Sequence, residues 1–249
     1  MRLEISSMCE TGLVRRINQD SILVYQRPSQ DFALFAVADG MGGYADGEKA
    51  SALITSALRE WLDGESVLSG PAGTTAVFTG LDAKLRETSA YIHAELNRDQ
   101  LCGSTCVLLF FQGEICGVLS VGDSRLYRCR GFSCEPLTKD DVWENLSSVR
   151  NSRTPAQIRE DPNYGKLTQA IGIREAPACS MSTDRARGGD LFALCSDGVY
   201  KSFPESRFRR LLFAAKRQDL DAARDRIRRE VLDAGARDNF SLILARYHA

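Results

Sequence analysis

Histidine is scarce in this chain: 249 residues hold only His93 and His248. The eight cysteines (Cys9, Cys102, Cys106, Cys116, Cys129, Cys134, Cys179 and Cys195) include no CxxC pair and no histidine partner at metal-binding spacing. A thiolate zinc site is therefore not expected. Long apolar runs are also missing. The longest are strand-sized, such as VLLFF at 107–111, far short of the roughly 20 residues that span a bilayer. The opening MRLEISSMCETG lacks the apolar core of a secretory signal. Neither sign of charge dominates, with 32 Lys and Arg against 33 Asp and Glu. Such balance offers no global basic field to nucleic acid and no acidic tail. No internal repeat and no low-complexity linker interrupts the sequence. The expectation is a soluble, cytoplasmic protein with no membrane or nucleic-acid partner. Its cysteines should be free thiols, several of them small buried hydrophobes, as a reducing compartment permits.

What the chain does contain is a recurrent design. Four distant segments each carry an aspartate at the end or start of an apolar run: FAVADGMGG (35–43), VLSVGDSR (118–125), LFALCSDGV (191–199) and ARDNFSLIL (236–244). Asp39-Gly40 and Asp197-Gly198 are turn-forming steps after a strand, and Asp238-Asn239 precedes one. Carboxylates gathered at strand ends repel one another unless a positive charge lies between them. A hard divalent cation with oxygen ligands is the usual solution. The pattern thus points to a metal-dependent hydrolase.

Periodicity supplies the frame. Strands are expected at 3–8, 21–25 and 31–39, then an amphipathic helix from Asp46 with Ala50, Leu53, Ile54, Ala57, Leu58, Trp61 and Leu62 on one face. A Gly/Pro/Ser break over 64–73 precedes a second helix marked by Phe78, Leu81, Leu85, Ile92 and Leu96. Residues 103–111 and 114–121 flank a Gln112-Gly113 turn and read as a hairpin. Another strand is expected at 125–130. Residues 140–166 lose the pattern apart from a short helix at 155–160, and read as a surface flap near 141–166. Strands resume at 179–183 and 190–195. Helices follow at 207–213 and 221–232, then a last strand at 240–247 near the first. Strands in blocks and helices in pairs argue for an α+β fold of antiparallel sheets with helix pairs outside, one domain over 1–249.

With these segments in view, the chain resembles the metal-dependent Ser/Thr protein phosphatases of type 2C, in their bacterial branch. The matching stretches are GLVRRINQDS (12–21), AVADGMGGYADGEKAS (36–51), CGSTCVLL (102–109), SVGDSRLYRCR (120–130), PLTKDD (136–141), LTQAIG (167–172), LFALCSDGVY (191–200) and RDNFSLILARY (237–247). The resemblance implies a central antiparallel β-sandwich flanked by helix pairs. It implies Asp39 as the carboxylate bridging two ions and the Gly40 carbonyl as a further ligand. Asp197 and Asp238 complete the first ion, Asp20 supports the second through water, and Asp123 serves a third, weaker site. Arg15 would grip the substrate phosphate; the register with NQD favours it over Arg16. The implied cofactor is Mn²⁺ or Mg²⁺, two ions with a third in prospect. The implied partner is a phosphorylated protein, the substrate of a cognate Ser/Thr kinase, in signalling or secretion-system control.

These residue types suit the chemistry. Two cations about 3.5–4 Å apart activate a water and offset phosphoryl charge. Carboxylates and a carbonyl are hard ligands fit for Mg²⁺ or Mn²⁺. The guanidinium of Arg15 matches phosphate oxygens as a planar fork. Glycines 42, 43 and 47 are expected to let the backbone turn tightly beside the site. Three departures from the family pattern stand out. Gln19 replaces a common Glu, Met41 stands where eukaryotic relatives carry a histidine, and Asp141 follows Asp140 where Asp-His is frequent. The proton for the leaving group is then unassigned, with a metal-bound water as the preferred source.

Blander readings compete. Any single Asp-Gly can be an ordinary turn, and Asp20 or Asp123 has a capping carboxylate as its competing reading. Arginines 207–229 suggest a nucleic-acid surface but are matched by Glu205, Asp219, Asp221 and Asp225, as on solvated helix faces. His93 reads as an ordinary surface residue. A phosphatase-like binding module would show lost ligands. A metal phosphodiesterase would show a basic stripe into the site.

Overall fold

Strand runs whose every residue is apolar must be covered on both faces. β3 (Phe32–Gly42), apolar over 32–38, and β5 (Cys106–Gln112), apolar over 106–111, carry such runs, and they lie next to each other inside one sheet. The computed structural model describes residues 1–42, 46–64, 73–98 and 100–248. Gly43 and the interior of the 64–73 break lie outside them.

Two antiparallel sheets stack face to face. One runs in the order β1 (Arg2–Glu10), β11 (Phe240–His248), β10 (Leu191–Cys195), β7 (Arg125–Arg130), β8 (Ser133–Pro136). The other runs β2 (Asp20–Arg27), β3, β5, β6 (Ile115–Val121), β9 (Ser180–Arg185), with β4 (Cys102–Ser104) on the far end of β3. Alternation along each strand divides the core in two directions. Ala33, Phe35, Val37, Val107, Leu109 and Phe111 meet Phe192, Leu194, Ile243 and Ala245 between the sheets. The intervening Phe32, Leu34, Ala36, Leu108 and Phe110 face outward, under α1 (Gly47–Gly64) and α2 (Thr74–Tyr91). Ala50, Ile54, Leu58 and Leu62 form the buried stripe of α1 expected from its period. The other sheet is covered in the same way by α6 (Glu205–Ala215) and α7 (Leu220–Asp233), through Phe208, Leu212, Ala223, Ile227 and Val231. The result is a helix–sheet–sheet–helix sandwich, as the sequence pattern and the resemblance both expect.

Segment 141–166 carries α3 (Ser147–Arg150) and α4 (Pro155–Glu160). Its residues are mostly exposed, with Val142 and Val149 as buried anchors. The first turn of α4 is closed by a reciprocal cap between Thr154 and Gln157.

Three expectations need correction. The strand at 103–111 is two strands, because Thr105 turns aside and its N–H donates to the Asp39 carbonyl (2.9 Å). β8 and the short helix α5 (Asp197–Tyr200) are additional elements. The eight cysteines are not all thiols: Cys129 and Cys134 are opposed across the β7–β8 hairpin and joined as a disulfide, while the other six are free.

The helix arginines are held by carboxylates: Arg207 by Glu230 (2.7 Å), Arg209 by Glu205 (2.8 Å), Arg228 by Glu10 (2.5 Å). His93 is exposed. Among the described residues no helix is long and apolar enough to cross a membrane.

Candidate metal centre

The sheet ends deliver the aspartates to one place. Asp20 opens β2 and is directly paired with Asp39, near the end of β3. Asp123 follows β6 in a turn whose Gly122 adopts φ +97°. Asp197 follows β10 and starts α5, and Asp238 precedes β11. A cavity of about 280 Å³ is lined by Arg15, Asp39, Gly40, Asp123, Asp197 and Asp238, with Gln19, Met41 and Lys201 beside them. Asp20 lies behind Asp39 and is buried.

Each acid is fixed by a neighbour. The Asp39 N–H donates to Thr105 Oγ1 (3.2 Å), which also bonds Ser124 Oγ (2.7 Å) next to Asp123. Ser196 Oγ donates to Asp20 Oδ2 (2.7 Å) and accepts from the Ser241 N–H (2.9 Å). Asp141 clamps the Asp123 turn: its Oδ2 accepts from the Gly122 N–H (3.0 Å), and its own N–H donates to the Gly122 carbonyl (2.9 Å). The Tyr200 hydroxyl donates to the Asp123 carbonyl (3.1 Å).

Close backbone approach requires glycine at two of these positions. A Cβ on Gly40 would fall 2.1 Å from the Gly47 carbonyl oxygen, and one on Gly198 would fall 2.0 Å from that of Asn239. Gly47 itself sits against the Gln19 side chain.

Two cations of the chain reach into this cluster. Arg15 grips Asp238 with both sides matched, Nε to Oδ1 at 2.8 Å and Nη2 to Oδ2 at 2.9 Å. Lys201 Nζ lies 2.6 Å from Asp197 Oδ2 and 3.3 Å from Asp123 Oδ2. Arg16 is exposed and does not line the cavity. The loop that carries Arg15 and Gln19 is stitched by Asn239. Its Oδ1 accepts from the Gln19 N–H (2.9 Å), and its Nδ2 donates to the carbonyls of Thr11 (2.8 Å) and Ile17 (3.0 Å).

The electrostatics are unbalanced at the Asp20–Asp39 pair. Burial, then the carboxylates of Asp20, Asp197, Asp123 and Asp238, hold Asp39 well above the usual carboxylate range. Burial pushes Asp20 up to about 6 against the opposing hydrogen bond from Ser196. Asp20 Oδ1 is buried with no hydrogen-bond partner. An orphaned carboxylate oxygen facing further acids fits a hard cation, and the donor set is oxygen throughout. The acids share the cavity without closing into a cage: among the described residues, no three acidic, histidine or cysteine side chains stand close enough together to hold one ion.

The sequence matches the family described as Protein phosphatase 2C over residues 14–233. The chain belongs to that family. A curated relative, the serine/threonine protein phosphatase PstP of Mycobacterium tuberculosis, is 31% identical over 247 residues, covering 98% of this chain and 45% of that protein. The chain therefore spans under half the length of this relative. A crystal structure of the Mycobacterium tuberculosis serine/threonine phosphatase PstP/Ppp superposes with a TM-score of 0.81 at 29% identity, covering 99% of each chain. The catalytic domain of PstP in complex with two manganese ions gives 0.77 at 30% identity, again over 99% of each chain.

Within this phosphatase 2C fold, every acid singled out from the sequence reaches the cavity or the layer behind it. Sequence reasoning missed Lys201, Asn239, Ser196 and Thr105. Lys201 had a visible signal, since it stands four residues after Asp197 in DGVYK, one helical turn away. The others act through hydrogen bonds between segments distant in sequence (Thr105–Asp39 is 66 apart, Ser196–Ser241 45, Asn239–Gln19 220), which no local pattern announces.

Proposed function

We propose that the chain hydrolyses phosphoserine and phosphothreonine in proteins, using Mn²⁺ or Mg²⁺. The observation that carries this reading is the convergence of Asp39, Asp123, Asp197 and Asp238 on one cavity, with the unsatisfied Asp20 behind it. Asp39, Asp197, Asp238 and the Gly40 carbonyl are the proposed holders of the ions, with Asp20 acting through water. The PstP catalytic domain with two manganese ions, 30% identical, supports the choice of metal. Bound there, two divalent ions supply an activated water and offset charge on the phosphoryl oxygens.

The chain's own residues do the rest. Arg15 uses Nε and Nη2 on Asp238, which leaves Nη1 for a phosphate oxygen. Asp238 thereby orients the guanidinium before substrate arrives. Met41 offers no proton, so the leaving oxygen takes one from solvent. The flap at 141–166 is proposed to meet the peptide around the phosphorylated residue. Leu146 of that segment lines a second cavity of about 690 Å³ with Leu101 and Ile173, and Met41 and Leu167 line both cavities. This reading takes 1–249 as one catalytic unit in the cytoplasm, opposing a Ser/Thr kinase.

The test is direct. p-Nitrophenyl phosphate and a phosphothreonine peptide are incubated with the chain in Mn²⁺, then with EDTA. Release that needs the ion and disappears in Asp39→Asn is the expected outcome. No release from either substrate with any divalent ion would falsify the enzyme reading and favour a binding module.

A further inference from the structure

Asp123 and Asp197 approach the cavity from different sheets, after β6 and β10 respectively. A cation of the protein already stands between them. Lys201 Nζ donates to Asp197 Oδ2 at 2.6 Å and to Asp123 Oδ2 at 3.3 Å. The same Asp123 oxygen receives the Tyr200 hydroxyl at 3.3 Å. Tyr200 is itself held in place: its ring packs under the Arg125 guanidinium, 3.8 Å from the ring centre. Lys201 is fixed by helix geometry, one turn beyond Asp197 on α5.

We propose that Lys201 is a built-in counter-cation between Asp123 and Asp197, standing in for the third metal ion that the family resemblance assigns to Asp123. The inference rests on the phosphatase reading and narrows it from three prospective ions to two. The residues present do not fit a third ion. A divalent cation held by Asp123 and Asp197 would meet the charge of the ammonium at contact distance. A weakly bound ion must be recruited from solution each time, whereas a tethered ammonium is always at hand. Asp123 is buried, 6% exposed, so its charge needs a partner whether or not ions are present. Among the described residues Lys201 forms no hydrogen bond or ion pair with Asp39, Asp20 or Asp238, and Asp197 Oδ1 takes no part in its ion pair. The positions proposed for the other two ions are left alone.

The experiment counts ions rather than turnover. Mn²⁺ is titrated into the chain and the free-ion signal is followed by electron paramagnetic resonance, for the parent, Lys201→Gln, and Asp123→Asn in each background. The Lys201 side chain is 55% exposed, so a neutral replacement is tolerated, and Lys201→Met provides a second. The expected result is one more Mn²⁺ per chain in Lys201→Gln and Lys201→Met than in the parent. Asp123→Asn should remove that extra ion from the Lys201→Gln background and leave the parental count unchanged. Crystals of Lys201→Gln in Mn²⁺ should show anomalous scattering between Asp123 and Asp197. Equal counts in parent and both Lys201 variants overturn the inference, as does a parental count that falls by one in Asp123→Asn. The parental count itself tests the earlier reading: two ions support it, and none removes it and this inference with it.

Discussion

Asp20 and Asp39 are directly opposed residues on neighbouring antiparallel strands. Like charges in that relationship destabilise a sheet, and these two are pushed toward their neutral forms by burial. A fold keeps such a pair when the same charge density is useful to it.

Asp39→Asn therefore separates stability from binding. In EDTA the variant should melt higher than the parent, by about 2–4 °C for each kcal/mol of repulsion removed. The parent should gain stability in Mn²⁺, on the order of 2.7 kcal/mol at a hundredfold excess over Kd, and the variant should not. Thermal melts in both buffers measure this. A variant that melts lower in EDTA yet keeps its Mn²⁺ response would contradict it.

Asn239→Ala removes three hydrogen bonds from the loop that presents Arg15 and Gln19. Asn239 is 4% exposed, so the abandoned groups are poorly placed to recruit water. The expected cost is about 1–3 kcal/mol in urea unfolding. Hydrogen exchange should speed up at the Gln19 amide while the β5–β6 ladder stays protected.

Gly198→Ala and Gly64→Ala form a matched pair. The first places a methyl 2.0 Å from the Asn239 carbonyl oxygen, and the second meets nothing within 4 Å among the described residues. Overpacking in the first should cost about 1–3 kcal/mol, with loss of Mn²⁺ binding as Asp197 shifts. The second should be neutral or stabilising by up to about 1 kcal/mol. Urea titrations of both decide the matter.

Thiol chemistry reports on the core. Burial pushes the Cys106 thiol up to about 12, so at pH 8 only about one molecule in ten thousand is thiolate. Cys195 is raised further by the same cause. Native protein should leave both unlabelled by iodoacetamide. Six thiols should label after unfolding without reductant and eight after reduction, by mass spectrometry. Eight without reductant would remove the Cys129–Cys134 bridge from the picture.

Much of this architecture was legible because burial and period coincide. The stripe of α1, the apolar run at 32–38 in β3 and the Pro155 start of α4 each follow from local sequence. β8 escaped because SCEP is too short and too polar for an alternation to register. The Cys129–Cys134 pairing escaped with it, since only a hairpin turning at Gly131 brings those residues opposite. In the site, the acids were readable from their strand-end positions. The hydrogen-bond partners were not, because Ser196 and Asn239 are ordinary residues until the sheets bring distant segments together.

β11 lies between β1 and β10, so an interior strand of one sheet is the last of its strands in sequence. A chain cut before Phe240, or still being synthesised to that point, would hold two sticky margins with an open slot between them. Into that slot any foreign extended peptide can fit. Proteolytic nicking near 234–239 should accordingly produce clumping rather than a quietly inactive fragment.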